Sequence, residues 1–236
     1  MSIRDSMRPT RRAALLSAVC LVLMAASPFA SASQRAFRLQ PFEALEVDLP
    51  ARYVIRESGV ASALLRGDPE VINRIVIEQH DNRVRVFVPG SITIQGQLVI
   101  EIDTVGLREL LVNGPGEVAA HGFSGSDFSL RSLGPAAVKV TGLDVDKLKV
   151  EMQGSGTMEL AGRATKERMK IAGSGQYRAG DLAADSVEVK LDGSASVEVM
   201  AHDKLDVQIA GSGSVRYRGE PKLSSSVSGS GSIAKM

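Results

Sequence analysis

The sequence predicts an all-β fold, a right-handed parallel β-helix or β-solenoid with coils of about 18–20 residues. Two observations predict it. A glycine-containing tripeptide recurs at nearly constant spacing through residues 106–236, and apolar residues alternate with polar ones between its copies. A fixed period of this kind is typical of a chain that builds one structural unit per repeat and stacks the units on each other.

The tripeptide has seven copies, whose first residues are separated by 20, 20, 19, 20, 18 and 18 positions. Its second residue is always Pro or Ser, and its third is always Gly or Ala. A flexible glycine-serine linker would not keep such a period, so we interpret each copy as a tight corner between strands. The predicted structural corner residues are Gly114, Gly134, Gly154, Gly156, Gly173, Gly175, Gly193, Gly211, Gly213, Gly229 and Gly231.

Apolar residues hold fixed positions relative to each corner. The residue four positions after the first glycine is apolar in all seven copies. The residue two positions before it is apolar in six, with Ser132 as the exception. Runs such as Leu148-Val150-Met152 continue the alternation, and a period of two predicts strands with one buried face.

Charged residues also hold a fixed position, five residues after the first glycine, where their sign alternates from one middle repeat to the next. Repeats stacked one strand apart, about 4.8 Å, would place these opposite charges side by side. The pattern therefore predicts a salt ladder that sets the register of the coils. Its members are Lys139, Glu159, Arg178, Glu198 and Arg216.

An antiparallel β meander, with hairpin turns at the glycine sites, fits the same period. The small third corner residue favours the stacked solenoid, because a stacked corner has no room for a larger side chain. Residues 33–105 lack the corner motif but alternate in segments such as Val84-Val86-Val88, and 71–77 fit a turn of helix. We interpret 33–105 as less regular coils or a β cap within one domain, 33–236.

The first 32 residues have the pattern of a signal peptide. Four arginines and an apolar run over 13–26 precede the small-residue site Ala30-Ser31-Ala32. The run of about 14 residues is shorter than the roughly 20 that span a bilayer. Cleavage after Ala32 and a periplasmic or extracellular location are therefore predicted, with an uncleaved signal anchor as the alternative. General secretory and twin-arginine export both stay open, and no transmembrane span is predicted in the mature chain.

Composition limits the chemistry of the mature chain, which would carry 24 basic and 26 acidic residues. This balance argues against a nucleic-acid partner. Cys20 is the only cysteine and lies in the signal segment, so the mature chain is predicted to have no disulfide and no thiolate site. The absence of tryptophan weakens the expectation of carbohydrate binding by ring stacking.

Residue patterns of common catalytic sites are missing from the sequence. It contains no G-x-S-x-G, no G-x-G-x-x-G and no Gly-Lys phosphate loop. His80, His121 and His202 stand far apart in predicted loops, which does not fit a metal site. We therefore predict no catalytic, cofactor-binding or metal-binding residues, and no cofactor.

The enzymatic alternative is a carbohydrate-active enzyme, a polysaccharide lyase or hydrolase on a β-helix scaffold. Glu159 and Glu198 would lie two coils apart, about 9.6 Å, just outside the ~6.5–9.5 Å of an inverting carboxylate pair. Arg178 would stand between them and neutralise both. We therefore interpret the two glutamates as members of the salt ladder.

The sequence resembles the bacterial envelope family called putative auto-transporter adhesin, head GIN domain, over nearly all of the mature chain. The resemblance rests on the opening segment 42–47 (FEALEV), the Gly67-Asp68-Pro69 turn before Ile75-Val76-Ile77, and the downstream repeats of Val-x-Gly-Ser-Gly type. It implies a β-helix-like fold and an extracytoplasmic location, and it supplies no catalytic residue.

Together these observations predict an exported, non-catalytic envelope protein that acts as an adhesin-like binding or structural module. Its expected partner is an envelope protein or a glycan of unknown identity. The exposed last coil, over 223–236, also predicts weak self-association by strand addition, because an unpaired strand edge can accept another chain.

Overall fold

The computed structural model describes residues 33–94 and 96–236, so the predicted signal peptide lies outside the described residues. Short extended segments precede a series of long strands that each run through a whole coil. The elements are β1 (Ser33–Arg38), β2 (Ala44–Val47), β3 (Arg52–Glu57), β4 (Ser62–Gly67), α1 (Pro69–Arg74), β5 (Val76–His80), β6 (Arg83–Phe87), β7 (Val99–Thr104), β8 (Glu109–Asn113), β9 (Glu117–His121), β10 (Ser124–Leu133), β11 (Ala137–Gly154), β12 (Thr157–Gly173), β13 (Gln176–Gly193), β14 (Ser196–Gly211), β15 (Ser214–Arg218), β16 (Lys222–Ser228) and β17 (Ser232–Lys235).

The strands from β8 onward stack as a parallel β-solenoid. Gly154 pairs with Gly173, Gly173 with Gly193 and Gly193 with Gly211, so each coil advances the chain by 18–20 residues. All strand pairs in this part of the chain are parallel. The solenoid prediction is therefore confirmed, and the antiparallel meander is excluded for the repeats.

Each coil folds back on itself at the corner, so its inward side chains form one continuous core. The column four residues after the first corner glycine passes through Val138, Met158, Tyr177, Val197 and Val215, each at most 3% exposed. Burying one such side chain contributes about 2 kcal/mol. A single coil cannot shield this column on both sides, so stability depends on the stacked neighbours.

The corner glycines meet two separate physical demands. At the first position the backbone has a positive φ, as at Gly154 (+113°) and Gly173 (+129°), a region that L side chains rarely adopt. At the third position, a Cβ on Gly156 would lie 2.5 Å from the carbonyl oxygen of Ala136 in the preceding coil. Close backbone stacking therefore limits the third position to small residues.

We predict that Gly173→Ala lowers the free energy of unfolding by about 2 kcal/mol, because alanine is strained at this φ and its Cβ would overlap the Gly154 carbonyl oxygen. Denaturant unfolding measures the loss. Ser174→Ala, at the exposed middle position of the same corner, is the matched control and should change stability by less than ~0.5 kcal/mol. Equal stability of the two variants would contradict the geometry described for this corner.

The N-terminal part joins the stack out of chain order. β2 pairs with β6 on one side and β8 on the other, and β3 pairs with β7 and β9. The first coil of the chain, β2 and β3, therefore lies between the second coil, β6 and β7, and the third coil, β8 and β9. All four of these pairings are parallel, so these segments are true coils of the solenoid.

Antiparallel strands and a short helix cover the N-terminal end of the stack. β4 pairs antiparallel with β1 and β7, and β5 pairs antiparallel with β6. The helix α1 begins after Asp68, whose side chain accepts hydrogen bonds from the backbone N–H groups of Glu70 and Val71. Its buried residues, Val71 and Ile72, pack into the core. Residues 33–105 therefore contain both parallel coils and an antiparallel cap with a short helix.

The last coil is more exposed than the coils before it. Among the described residues, β16 pairs only with β14, and β17 only with β15. Leu223 and Val227, at inward positions of β16, are each 43% exposed. Self-association through this coil stays a prediction.

Candidate functional site: a cationic groove

A groove follows the solenoid axis across the outer face of β10, β11 and β12. One wall is the aligned row Asp127, Lys147 and Lys166, and the other is the aligned row of Ser129, Lys149 and Arg168. The two rows are two residues apart on each strand and therefore point to the same side of the sheet. The groove lies between them and encloses about 480 Å³.

Five cations and one carboxylate line this groove, which makes it strongly positive. Arg108 and Arg168 form ion pairs with carboxylates at its border, at 3.9 Å to Glu43 and 2.8 Å to Glu188. A hydrogen bond from Arg168, and a weaker contribution from the hydrogen bond of Lys190, hold the pKa of Glu188 below its usual value. The cationic residues of the groove are Arg108, Lys147, Lys149, Lys166 and Arg168.

The cations inside the groove are poorly neutralised. The Lys147 ammonium lies 3.6 Å from Asp127, in a pair whose side chains are 70% and 56% exposed. The pKa of Asp127 is lowered mainly by a hydrogen bond from Ser126 and to a smaller extent by the positive charge of Lys147. Within the part of the chain that the structure describes, Lys149 and Lys166 have no carboxylate within 4.0 Å. Both side chains are exposed and free to bind an anion.

Two buried side chains support the base of the groove. Phe128 and Leu148 lie between the walls and are 2% and 1% exposed. The ring of Phe128 stacks on Phe123, with centroids 5.0 Å apart and planes inclined by 12°. The walls therefore stand on a packed sheet, which fixes the backbone spacing of the cations.

Further cations continue along the same face beyond the groove. The row of Lys166 continues through Ser186 to Lys204 and Lys222. Carboxylates at Glu188 and Asp206 occupy the neighbouring row, so positive charge is most concentrated in the groove itself. The overall balance of charge in the sequence therefore conceals a local excess, because acidic and basic residues are segregated on the surface.

The segments that follow each corner carry the residues of the predicted salt ladder, and their register agrees with the prediction. In the backbone register Lys139 lies beside Glu159, Glu159 beside Arg178, Arg178 beside Glu198, and Glu198 beside Arg216. The Lys139 ammonium lies 2.5 Å from Glu159, and Arg216 pairs with Glu198. Arg178 stands in the row between the two glutamates, but its guanidinium donates a hydrogen bond to Gln176 at 2.6 Å and, among the described residues, forms no ion pair with either glutamate, so the expected neutralisation of both is wrong.

The three histidines lie in strands, not in the predicted loops, and each is in a different strand. His80 ends β5, His202 lies in β14, and His121 ends β9, with its Nδ1 3.0 Å from the Thr141 hydroxyl. Over residues 33–94 and 96–236, no group of three or more His, Cys, Asp or Glu side chains is arranged to hold a metal ion. No helix in these ranges is both long and apolar enough to cross a membrane.

A buried glutamate lies close beneath the groove wall and was not identified from the sequence. Glu167 is fully buried, at the inward position between Leu148 and Val187 of the adjacent coils. The Tyr177 hydroxyl donates a hydrogen bond to Glu167 Oε1, while Oε2 has no partner among the described residues. Burial raises the pKa of Glu167 to about 7, against the opposing effect of the Tyr177 hydrogen bond.

Solved structures share this fold. A putative adhesin from Bacteroides fragilis has a TM-score of 0.81 and 23% identity, over 89% of this chain and 99% of its own. A putative lipid binding protein from Parabacteroides distasonis has a TM-score of 0.73 and 21% identity, over 88% and 98%. A putative adhesin from Parabacteroides merdae has a TM-score of 0.68 and 19% identity, over 88% and 97%. At these identities the likeness extends to the fold alone.

The sequence comparison identifies the family. No curated protein matches the chain. The family described as putative auto-transporter adhesin, head GIN domain matches residues 41–221, which include the inserted first coil and six of the seven corners. The resemblance that the repeats and the opening segment indicated is thus confirmed, and the chain belongs to this family.

Proposed function

We propose that this chain is an exported, non-catalytic module of the cell envelope that binds its partner through the cationic groove. The observation that carries the proposal is the groove itself, an open row of exposed cations on a stacked sheet. Adhesin-like proteins act by surface complementarity, and charged groups on a rigid face give such a surface both attraction and orientation.

The scaffold is suited to binding a ligand without a conformational change. The groove walls belong to β10, β11 and β12, whose backbones are hydrogen-bonded in register over most of their length. A ligand that binds this face does not have to order a loop, and pre-organisation of this kind lowers the cost of association. The proposal therefore predicts little change in the backbone on binding.

Three observations support a location in the cell envelope. The N-terminal 32 residues have the charge, length and small-residue site of a signal peptide. The family is named for adhesins, and two of the similar structures carry the same name. The similar structure from Parabacteroides distasonis is that of a putative lipid binding protein, and lipid is a main component of the envelope.

The arrangement of the acidic residues favours a binding role over a catalytic one. A glycoside hydrolase needs two carboxyl groups that face one another across a sugar. Here the cationic Arg178 occupies the row position between Glu159 and Glu198, so the two carboxylates do not form an uninterrupted acidic pair. The ion pairs of Lys139 and Arg216 hold these glutamates within the ladder.

Export is tested by expressing the full chain in a Gram-negative bacterium and determining the N-terminus of the product by mass spectrometry. We expect cleavage after Ala32 and a mature chain that begins at Ser33. Leu21→Arg, which interrupts the apolar run, is the control and should leave the precursor uncleaved in the cytoplasm. A cytoplasmic, uncleaved wild-type chain would contradict the proposal.

Catalysis is tested by incubating the mature protein with acidic and neutral polysaccharides and following new reducing ends and unsaturated products. We expect neither. Turnover that is lost in Glu159→Gln or Glu198→Gln, while Lys139→Gln keeps it, would replace the binding module with a carbohydrate-active enzyme.

A further inference from the structure

We propose that the cationic groove binds a linear acidic polysaccharide that lies along the solenoid axis. This inference rests on the proposed binding role of the groove and specifies the chemical class of its ligand. The ligand is recognised by acidic groups that recur along an extended chain, matched to lysines and arginines that recur from coil to coil.

The geometry favours an extended polymer. Cations on neighbouring coils, such as Lys147 and Lys166, are one strand spacing apart, about 4.8 Å. The two walls are separated by two residues along each strand, about 6.8 Å. A single chain can lie between the walls and meet cations on both sides, whereas a small isolated anion would contact only part of the row.

The row of cations extends beyond the groove toward the C-terminal coils. The row of Lys147 and Lys166 continues to Lys204 and Lys222, with Ser186 as the one interruption. A polymer that leaves the groove toward the C-terminal coils therefore meets further cations along the same line, while Glu188 in the neighbouring row is paired with Arg168 and Lys190 and Asp206 is the one further carboxylate of that row. Longer ligands should consequently bind more tightly than short ones.

The groove lacks the features that favour nucleic acid. Proteins that bind single strands stack the bases on exposed aromatic rings. The aromatic residue in this groove is Phe128, which is 2% exposed and stacked on Phe123. Bases would find no ring to stack on, so the backbone charge would have to provide the entire attraction.

A membrane surface is a poorer match than a polymer. Peripheral membrane binding combines cations with exposed apolar side chains that enter the headgroup region. Among the described residues, the large apolar side chains with high exposure are at the last coil and at Val60, and none lines the groove. The cations here line a concave channel that a flat bilayer would contact only at its edges.

The test measures binding of the mature protein to galacturonate oligosaccharides of defined length by isothermal titration calorimetry. Methyl-esterified galacturonate oligosaccharides of the same length are the neutral counterpart. We expect binding to the acid form that tightens with length and weakens as salt rises, and no binding to the ester. Single-stranded DNA and vesicles containing anionic lipid are the other two ligands in the series.

The variant removes the two groove lysines that have no ion pair, as Lys149→Gln with Lys166→Gln. We expect roughly tenfold weaker binding to the acidic oligosaccharide, since each exposed charge pair contributes only modestly. The matched control is Lys139→Gln with Arg216→Gln, which removes the same charge from the salt ladder outside the groove and should leave the affinity within twofold.

Tighter binding to DNA or to vesicles than to the oligosaccharide would overturn the inference. So would equal loss of affinity in both double variants, or equal binding of the acid and the ester. The proposed function fails separately, through a precursor that stays in the cytoplasm or a mature protein that degrades the polysaccharide.

Discussion

Gly156→Val should lower the free energy of unfolding by about 3 kcal/mol, and the melting temperature by about 10 °C for a chain of this length. Gly156 is buried at the third position of its corner, and a Cβ there would lie 2.5 Å from the Ala136 carbonyl oxygen and 3.1 Å from that of Gly134. These atoms belong to the backbone of the preceding coil, so they cannot rotate away. Thermal and denaturant unfolding of the mature protein measure the loss.

The control is Ser155→Val, which adds the same kind of side chain one residue earlier, at the exposed tip of the corner. We expect a change below ~0.5 kcal/mol there. If Gly156→Val melts with the parent protein, the close stacking of the corners is wrong.

Glu167→Gln should remove a pH dependence of stability. The pKa of Glu167 is about 7 in the folded protein and 4.5 in an exposed reference carboxyl. Because the folded pKa is the higher one, the stabilising contribution is complete below about pH 4.5 and is lost as the pH rises to about 7. The loss over this range is about 3 kcal/mol, and glutamine, which cannot ionise, avoids it.

The measurement is the free energy of unfolding of both proteins between pH 4 and pH 8. We expect the free energy of unfolding of the variant, relative to that of the wild type, to rise by about 3 kcal/mol from pH 4 to pH 8. Every other titrating group is common to the two chains, so its effect cancels in this difference. Glu220→Gln, at a side chain that is 88% exposed, is the control and should run parallel to the wild type. Parallel curves for Glu167→Gln as well would contradict the raised pKa of the buried Glu167 carboxyl group.

The repeats could be predicted from the sequence because three independent signals share one period. The corner residues, the inward apolar positions and the alternating charges each fix the same alignment of coils. The register of Lys139 with Glu159, and of Glu198 with Arg216, follows from that alignment alone. A fold can be predicted from sequence when local turn residues, the apolar pattern and the charge pattern all indicate the same arrangement, as they do here.

The insertion of the first coil could not be predicted by the same reasoning. Its corner is Leu49-Pro50-Ala51, which keeps the proline and the small third residue of the motif but has no first glycine. A Cβ at Gly116 would lie 3.0 Å from the Ala51 carbonyl oxygen, so this corner stacks like the others. The order of stacking is set by long-range strand pairing, which local patterns do not encode.

The groove and the buried glutamate were missed for a different reason. Net charge sums over the whole surface and hides a local excess. Alignment on the corners would have revealed both features, since Lys147 and Lys166 each stand seven residues before a corner glycine. Glu167 stands six residues before, at a position that Leu148 and Val187 fill in the adjacent coils.

The most direct test of the binding role is a lysine-reactivity footprint of the mature protein with and without an acidic oligosaccharide. Acetylation at each lysine is read by mass spectrometry. Our account predicts strong protection of Lys147, Lys149 and Lys166, and unchanged reactivity at Lys139 and Lys235, which lie in the segments that follow the corners, outside the groove. Protection spread evenly over all lysines, or confined to lysines outside the groove, would contradict it.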